Sequence, residues 1–234
     1  MSKARDYLNG IKVALPVILG YLPVAIAFAV MASDAGFTRL EIILMSTLVF
    51  AGASQIMAVG MIVTGASMLS VVVGTFVLNL RHFIMGSYIM KKLGKTSALE
   101  KITTAHGITD EAFAIVSATP EQKCTVPYLF GIITVTYGSW VLGTTIGAFV
   151  SLLIPPVVTD ALGIALYALF ISLLVPGVKK SWRLIVLVAF TALLNTALTL
   201  LLPDNASSWA IIISCLVGAI VGVFFIKDEE VATE

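Results

Sequence analysis

The chain has 234 residues, 59% of them hydrophobic and 12% charged, with a mean hydropathy of +1.06. A soluble domain carries about 25% charged residues, so this composition describes an integral membrane protein built of apolar helices. The formal net charge of +1 forms no basic stripe and argues against nucleic acid as a partner.

Residues 1–12 are a short polar head with Lys3, Arg5, Asp6 and Lys12. The apolar run that follows is long enough to span, so no cleavable signal peptide is expected. Val13 to Ser33 is the first span, interrupted by Pro16 and by Gly20-Tyr21-Leu22-Pro23. Proline removes a backbone donor, and in lipid the freed carbonyl must find another partner. The expectation is a helix broken near mid-membrane, or a simple kink. Thr38 and Glu41 stand in capping-box spacing, which starts a second helix at Thr38. It runs to about Thr64, and a third span follows from about Met68 to Met90.

The run from residue 42 to residue 80 holds no Asp, Glu, Lys or Arg, yet it contains Phe50-Ala51-Gly52-Ala53-Ser54-Gln55 and ends in Asn79-Leu80-Arg81-His82. Gly52 at membrane depth serves close packing or an unwound backbone. Gln55 brings donors and an acceptor that hydrocarbon cannot satisfy. It is either interhelical glue or part of a substrate site where a helix end meets a zwitterion. Arg81 lies well before Lys91 and Lys92, so it is a buried functional charge or the mark of an early interface. Asp110 and Glu111 supply the nearest counter-charges. His82 is a structural residue or a proton carrier, its reference pKa being about 6.5.

After Lys91, Lys92 and Lys95 comes the longest polar stretch, Thr96 to Pro127. Ile108, Ala112, Ile115 and Val116 share one helical face, which predicts a short amphipathic or half-inserted helix. Adjacent Asp110 and Glu111 point about 100° apart on a helix, so only one is expected to face a site. A fourth span begins near Tyr128. Its Ser139, Gly143 and Gly147 form a small-residue stripe for close helix approach. Asp160 opens a fifth span, Leu184 to Leu202 is the sixth, and Trp209 to Ile226 the seventh, with Gly218 and Gly222 in GxxxG spacing.

Seven spans put the termini on opposite sides. Lys3, Arg5 and Lys12 lie on one side. Arg39, Lys91, Lys92, Lys95, Lys101, Lys123, Lys179, Lys180, Arg183 and Lys227 lie on the other. The heavier set marks the inside, so the N-terminus is expected out and the C-terminus in. Thr75-x-x-x-Asn79 is echoed by Thr191-x-x-x-Asn195, and Thr38 by Thr159. The resulting plan is a single transporter domain: a first repeat over 1–92, a polar connection over 93–127, a second repeat over 128–203, and an extra helix and tail over 204–234. This is a 3+3 inverted repeat plus one, and it places Asn195 beside the first-half candidates.

No P-loop, HExxH or GxSxG occurs, so no enzyme is expected. Cys124 and Cys215 stand alone, and His82 and His106 make no metal signature. No cofactor or metal is expected.

Taken together, Pro16…Gly20-Tyr21-x-Pro23, Phe50-Ala51-Gly52-Ala53-Ser54-Gln55, Asn79-x-Arg81-His82 and Thr109-Asp110-Glu111-Ala112-Phe113 resemble the AzlC family, the large subunit of bacterial branched-chain amino acid exporters. The resemblance covers nearly the whole chain. It implies a cytoplasmic-membrane permease that exports Leu, Ile, Val and methionine, drawing on the proton motive force. It also implies a small AzlD-type membrane subunit as partner. By position, it points to Gly20, Tyr21, Pro23, Gly52, Ser54, Gln55, Asn79, Arg81, His82, Asp110 and Glu111. Met57 stands where an aromatic is expected. On this reading Tyr21, Phe50, Met57 and Phe113 line the side-chain pocket. Backbone near Gly20 and Gly52, with Gln55 and Asn79, holds the carboxylate and ammonium. Asp110, Glu111 or His82 carries the proton. A passive pore and a non-transport scaffold are the alternatives.

Overall fold

A computed structural model describes residues 3–94, 96–151, 171, 174–175, 181–203 and 209–226. Among them every regular element is helical. In chain order these are α1 (Lys3–Ala14), α2 (Val17–Asp34), α3 (Arg39–Leu44) running into a π-turn (Met45–Val49), α4 (Gly52–Val63) and α5 (Met68–Leu93). Then come α6 (Ala98–His106), α7 (Asp110–Ala118), a 3-10 turn (Glu121–Lys123), α8 (Val126–Val150), α9 (Trp182–Leu201) and α10 (Trp209–Phe225). Helices α2, α5, α8 and α9 are long and apolar enough to cross a bilayer, while α4 and α10 are apolar but shorter. The protein is therefore an all-α membrane protein. All of the expected fifth span but residues 171 and 174–175, with Thr159 and Asp160, lies outside the described residues, as do Lys95, Lys179, Lys180 and the tail beyond residue 226.

Local chemistry sets the helix starts. The Thr38 hydroxyl accepts from the Glu41 N–H, and the Glu41 carboxylate accepts from the Thr38 N–H at 2.7 Å, closing the expected capping box. Ser97 and Glu100 repeat the device on α6. Thr109 caps α7 and Thr125 caps α8.

Two expected features fall elsewhere. The break in the first span sits at Leu15–Pro16, before Gly20, and α2 runs through Gly20 and Pro23 without interruption. Pro16 cannot donate to the preceding turn. The N–H groups of Ile18 and Leu19 instead bond three residues back, to Leu15 and Pro16. The second expected span is divided at Phe50–Ala51, between the π-turn and α4.

The chain divides into two compact units. One comprises Met1–Ile56 and Asn79–Leu166, the other Met57–Leu78 and Tyr167–Glu234. In the first, α8 packs against α1 and α2 by close backbone approach. A Cβ on Gly143 would lie 2.8 Å from Ala25 Cβ, and one on Gly147 2.7 Å from Ala29 Cβ. A Cβ on Gly10 would lie 2.0 Å from the Tyr128 carbonyl oxygen, and one on Gly131 2.2 Å from that of Tyr7. Ile108, Ala112 and Val116 of the predicted amphipathic face are fully buried, together with Ala14, Ile89, Leu129 and Ile132. Ile115 packs against the same cluster.

In the second unit, α10 lays Gly218 against Thr191 and Gly222 against Leu187 of α9. Ala58, Met61 and Val71 form a smaller cluster with Met57 beside them. The expected glycine contact surfaces are thus used in both units.

Candidate functional site

In the first unit the buried polar side chains of Ser46, Ser54, Gln55 and Thr144 gather around the break at Phe50. Phe50 takes a left-handed conformation, φ 44° and ψ 51°. For a residue with a side chain this costs about 1–3 kcal/mol and persists only where surroundings enforce it. Tyr137 of α8 does so from two directions. Its ring packs edge-on against Phe50 at 5.0 Å, and its hydroxyl donates to the Thr47 carbonyl at 2.9 Å. That carbonyl belongs to the π-turn.

Gln55 closes the break from the other side. Its Oε1 accepts from the Ala51 N–H at 3.3 Å and from Trp140 Nε1 at 3.2 Å. Its Nε2 donates to Ser46 Oγ at 3.0 Å, and Ser46 shares a hydrogen bond with Thr144 at 2.8 Å. Gln55 is 1% exposed. The amide ties α4 to the π-turn and to α8, the role of interhelical glue. Gly52 provides the space for this: a Cβ there would lie 2.5 Å from Trp140 Cη2. Trp140 in turn stacks on Phe28 at 6.5 Å and meets Tyr21 edge-on at 5.5 Å.

Ser54 and Asn79 extend the network to α5. The Ser54 hydroxyl donates to the Ala51 carbonyl at 2.8 Å and accepts from Asn79 Nδ2 at 3.1 Å. Asn79 Oδ1 is buried with no hydrogen-bond partner, and so is Arg81 Nε. Arg81 Nη1 lies 2.7 Å from Asp110 Oδ2, with the two side chains 34% and 30% exposed. Glu111, turned to another side of α7, takes the Tyr21 hydroxyl. Tyr21 also lies 2.8 Å from Thr109 Oγ1. Asp110 and Glu111 therefore both meet partners, on α5 and α2 respectively, where the helix angle alone favoured only one.

The other sequence candidates are placed as follows. His82 is half-buried on α5 beside Arg81. Pro23 is half-buried inside α2. Gly20 is exposed, with open space where a Cβ would stand. Phe113 packs edge-on against Tyr88 at 5.4 Å. Met57 belongs to the second unit. So does Asn195, whose Oδ1 accepts from Ser214 at 3.4 Å. Asn195 lines an apolar groove of about 560 Å³ with Thr191, Leu187, Val188 and Ile211.

Sequence reasoning passed over Tyr137, Trp140, Thr144, Ser46 and His106, whose ring lies 6.4 Å from that of Phe50. A signal was present in α8, where Thr136, Trp140 and Thr144 recur every fourth residue on one face. Lys92 was also missed. Its ammonium donates to the Val116 and Ser117 carbonyls at 2.7 and 2.9 Å and caps the C-terminus of α7. Cys124 is buried, and burial pushes its thiol above the ordinary thiol value. Among the described residues no group of three or more His, Cys, Asp or Glu gathers as for a metal ion.

Comparison with known proteins gives this arrangement relatives. "Inner membrane protein YgaZ" of Escherichia coli is 32% identical over 93% of this chain and 91% of its own. An "Uncharacterized membrane protein" of Archaeoglobus fulgidus is 35% identical over 76% of this chain and 79% of its own. The "Branched-chain amino acid transport protein AzlC" of Bacillus subtilis is 24% identical over 69% of this chain and 63% of its own. No solved structure matches. The family model described as "AzlC protein" matches residues 16–154, which hold the broken helix, the Arg81–Asp110 pair and Trp140. The chain belongs to the AzlC family.

Proposed function

We propose that the protein is a secondary transporter that exports branched-chain and related apolar amino acids, Leu, Ile, Val and methionine, across the bacterial cytoplasmic membrane. It couples export to protons and works as the large subunit of a permease with a small AzlD-type partner. It is not an enzyme. The N-terminus lies outside and the C-terminus inside, as the lysine distribution favours.

The observation that carries this reading is the pair of buried polar atoms on α5 beside the broken helix, Asn79 Oδ1 and Arg81 Nε. Leaving such atoms unpaired away from water costs about 1–3 kcal/mol each. A carboxylate would complement the guanidinium N–H and an ammonium the amide oxygen, from the two sides of α5 on which these residues, two apart, stand. The aromatic pairs Tyr21–Trp140 and Phe50–Tyr137 near the break are apolar surfaces of the kind an apolar side chain packs on. The name of the Bacillus subtilis relative supports the same substrate class.

A repeat relation between the halves remains part of the proposal. Thr75 and Thr191 each donate to the carbonyl four residues back, at 2.8 Å, and Asn79 and Asn195 each bond a serine. Ser54 lies on the helix before Asn79, whereas Ser214 lies on the helix after Asn195.

The test is efflux of labelled isoleucine, valine and methionine from proteoliposomes holding this chain and its small partner, with and without a pH gradient. Saturable, gradient-dependent efflux is expected. Flux that never saturates would assign a pore, and no flux of any of the three would sink the reading.

A further inference from the structure

Export coupled to protons needs one group that takes up and releases a proton, and α7 presents two neighbouring carboxylates with different surroundings. We infer that Glu111 carries the coupling proton while Asp110 stays a fixed anion held by Arg81. The inference rests on the proton-coupled reading above.

Asp110 has a guanidinium nitrogen at 2.7 Å. Protonating it would leave the Arg81 charge without its counter-ion inside an apolar protein, which is strongly unfavourable. Among the described residues the hydrogen-bond partner of the Glu111 carboxylate is the Tyr21 hydroxyl, and Tyr21 lies 2.8 Å from Thr109 Oγ1. Hydroxyls both donate and accept, so this chain serves either state of the acid. With Glu111 ionised, Thr109 donates to Tyr21 and Tyr21 donates to the carboxylate. With Glu111 protonated, its O–H donates to Tyr21 and Tyr21 donates to Thr109. Thr109 Oγ1 accepts from the Ala112 N–H at 3.3 Å in both. One proton enters or leaves, every hydroxyl keeps a partner, and nothing has to move except three hydrogens.

The charge count favours the same assignment. Arg81 and Asp110 cancel, so the cluster is neutral when Glu111 is loaded and carries one negative charge when it is empty. A rearrangement inside the membrane is easier for the neutral cluster.

The groups around this cluster are Tyr21 and Thr109 at the carboxylate, Arg81 and His82 from α5 on the Asp110 side, and Lys92 at the far end of α7. Helices α1 and α8 meet α7 through apolar Ala14, Leu129 and Ile132. Tyr21 also touches Trp140, the tryptophan that bonds Gln55 at the helix break. The proton site and the broken helix thus share one packed contact.

The experiment uses proteoliposomes of the full chain with its partner and reads the ratio of isoleucine efflux with a pH gradient to efflux without one. The ratio should exceed unity in the parent protein and in His82→Gln, and fall to unity in Glu111→Gln. A parent ratio of unity with saturable flux overturns the proton-coupled reading and this inference with it. A parent ratio above unity that persists in Glu111→Gln, or that is lost only in His82→Gln, overturns the inference alone. Tyr21→Phe gives a second readout should Glu111→Gln fail to assemble. Removing the hydroxyl should raise the pH of half-maximal efflux by about one unit, the scale of one charge-assisted hydrogen bond. An unmoved midpoint also overturns the inference.

Discussion

Gly52 and Gly20 stand in two motifs of the same family pattern, but the fold gives them opposite surroundings, and alanine at each position makes a sharp comparison. At Gly52 a Cβ would lie 2.5 Å from Trp140 Cη2 and 2.7 Å from Cζ2. The indole has little room to yield. It is 4% exposed, stacked on Phe28, edge-on to Tyr21 and hydrogen-bonded to Gln55. Forcing a methyl into a packed core costs about 1–3 kcal/mol, and losing the indole–amide bond adds about 1 kcal/mol. Gly52→Ala should therefore destabilise by about 2–4 kcal/mol. At Gly20 nothing lies within 4 Å of the added Cβ. Gly20→Ala should be neutral, or stabilising by up to about 1 kcal/mol through helix propensity. Reversible denaturant titration in detergent micelles, followed by tryptophan fluorescence, reads both. A double-mutant cycle assigns the cause: with Trp140→Leu in place, Gly52→Ala should cost less by about 1 kcal/mol or more. If Gly52→Ala costs no more than Gly20→Ala, or the cycle shows no coupling, the account of the Gly52–Trp140 contact is wrong.

Other outcomes follow from single contacts. Gln55→Leu strands the Ala51 N–H and the Trp140 indole N–H and leaves the Ser46 hydroxyl with Thr144 alone. It should cost about 3–5 kcal/mol in the same titration; a loss under about 1 kcal/mol would show that the amide is not the tie. Lys92→Met keeps the apolar stem but frees the Val116 and Ser117 carbonyls. Amide exchange in the last turn of α7 should quicken by about tenfold, as expected when a local opening becomes easier by about 1.4 kcal/mol. The Ser97 backbone N–H and then its hydroxyl hold the Glu100 carboxyl below its ordinary value of 4.5. A depressed carboxyl contributes most above that ordinary value and loses its contribution as pH falls through the lower native one. Fraying of the α6 N-terminus, read by amide exchange at Glu100, should begin below about pH 4.5 and be absent as a pH step in Glu100→Gln.

Features set by neighbours along the chain are legible in the sequence itself. The Thr38–Glu41 spacing closes a capping box within one turn, and the four-residue rhythm of Gly143 and Gly147 marks a face whatever packs on it. Features set by distant neighbours are not. Nothing at Phe50 itself announces a left-handed residue; Tyr137, far along the chain, enforces it. Pro16 and Pro23 look alike in sequence, yet only the first ends a helix. Gly20 and Gly52 also look alike, and only contact with Trp140 separates them. For Arg81 the chain offers two adjacent carboxylates. The ion pair goes to Asp110 because Glu111, one residue on around the helix, is turned towards Tyr21.

The glycine seams of α8 bear on how the first unit can move. Gly131 is notched against Tyr7 and Ile11 while Gly10 is notched against Tyr128, and farther along Gly143 and Gly147 grip the Leu22 and Ile26 backbone. Teeth that engage in both directions resist sliding, because any translation along the axis drives a main-chain atom into a neighbour. Helices α1, α2 and α8 are in this sense a keyed shaft. By contrast, α7 is fastened at its ends by side chains, Asp110 and Glu111 at one and Lys92 at the other. Between those fastenings its apolar face, Ala112 and Val116, lies in the core with Leu129 and Ile132. The shaft is thus the part of this unit least able to slide.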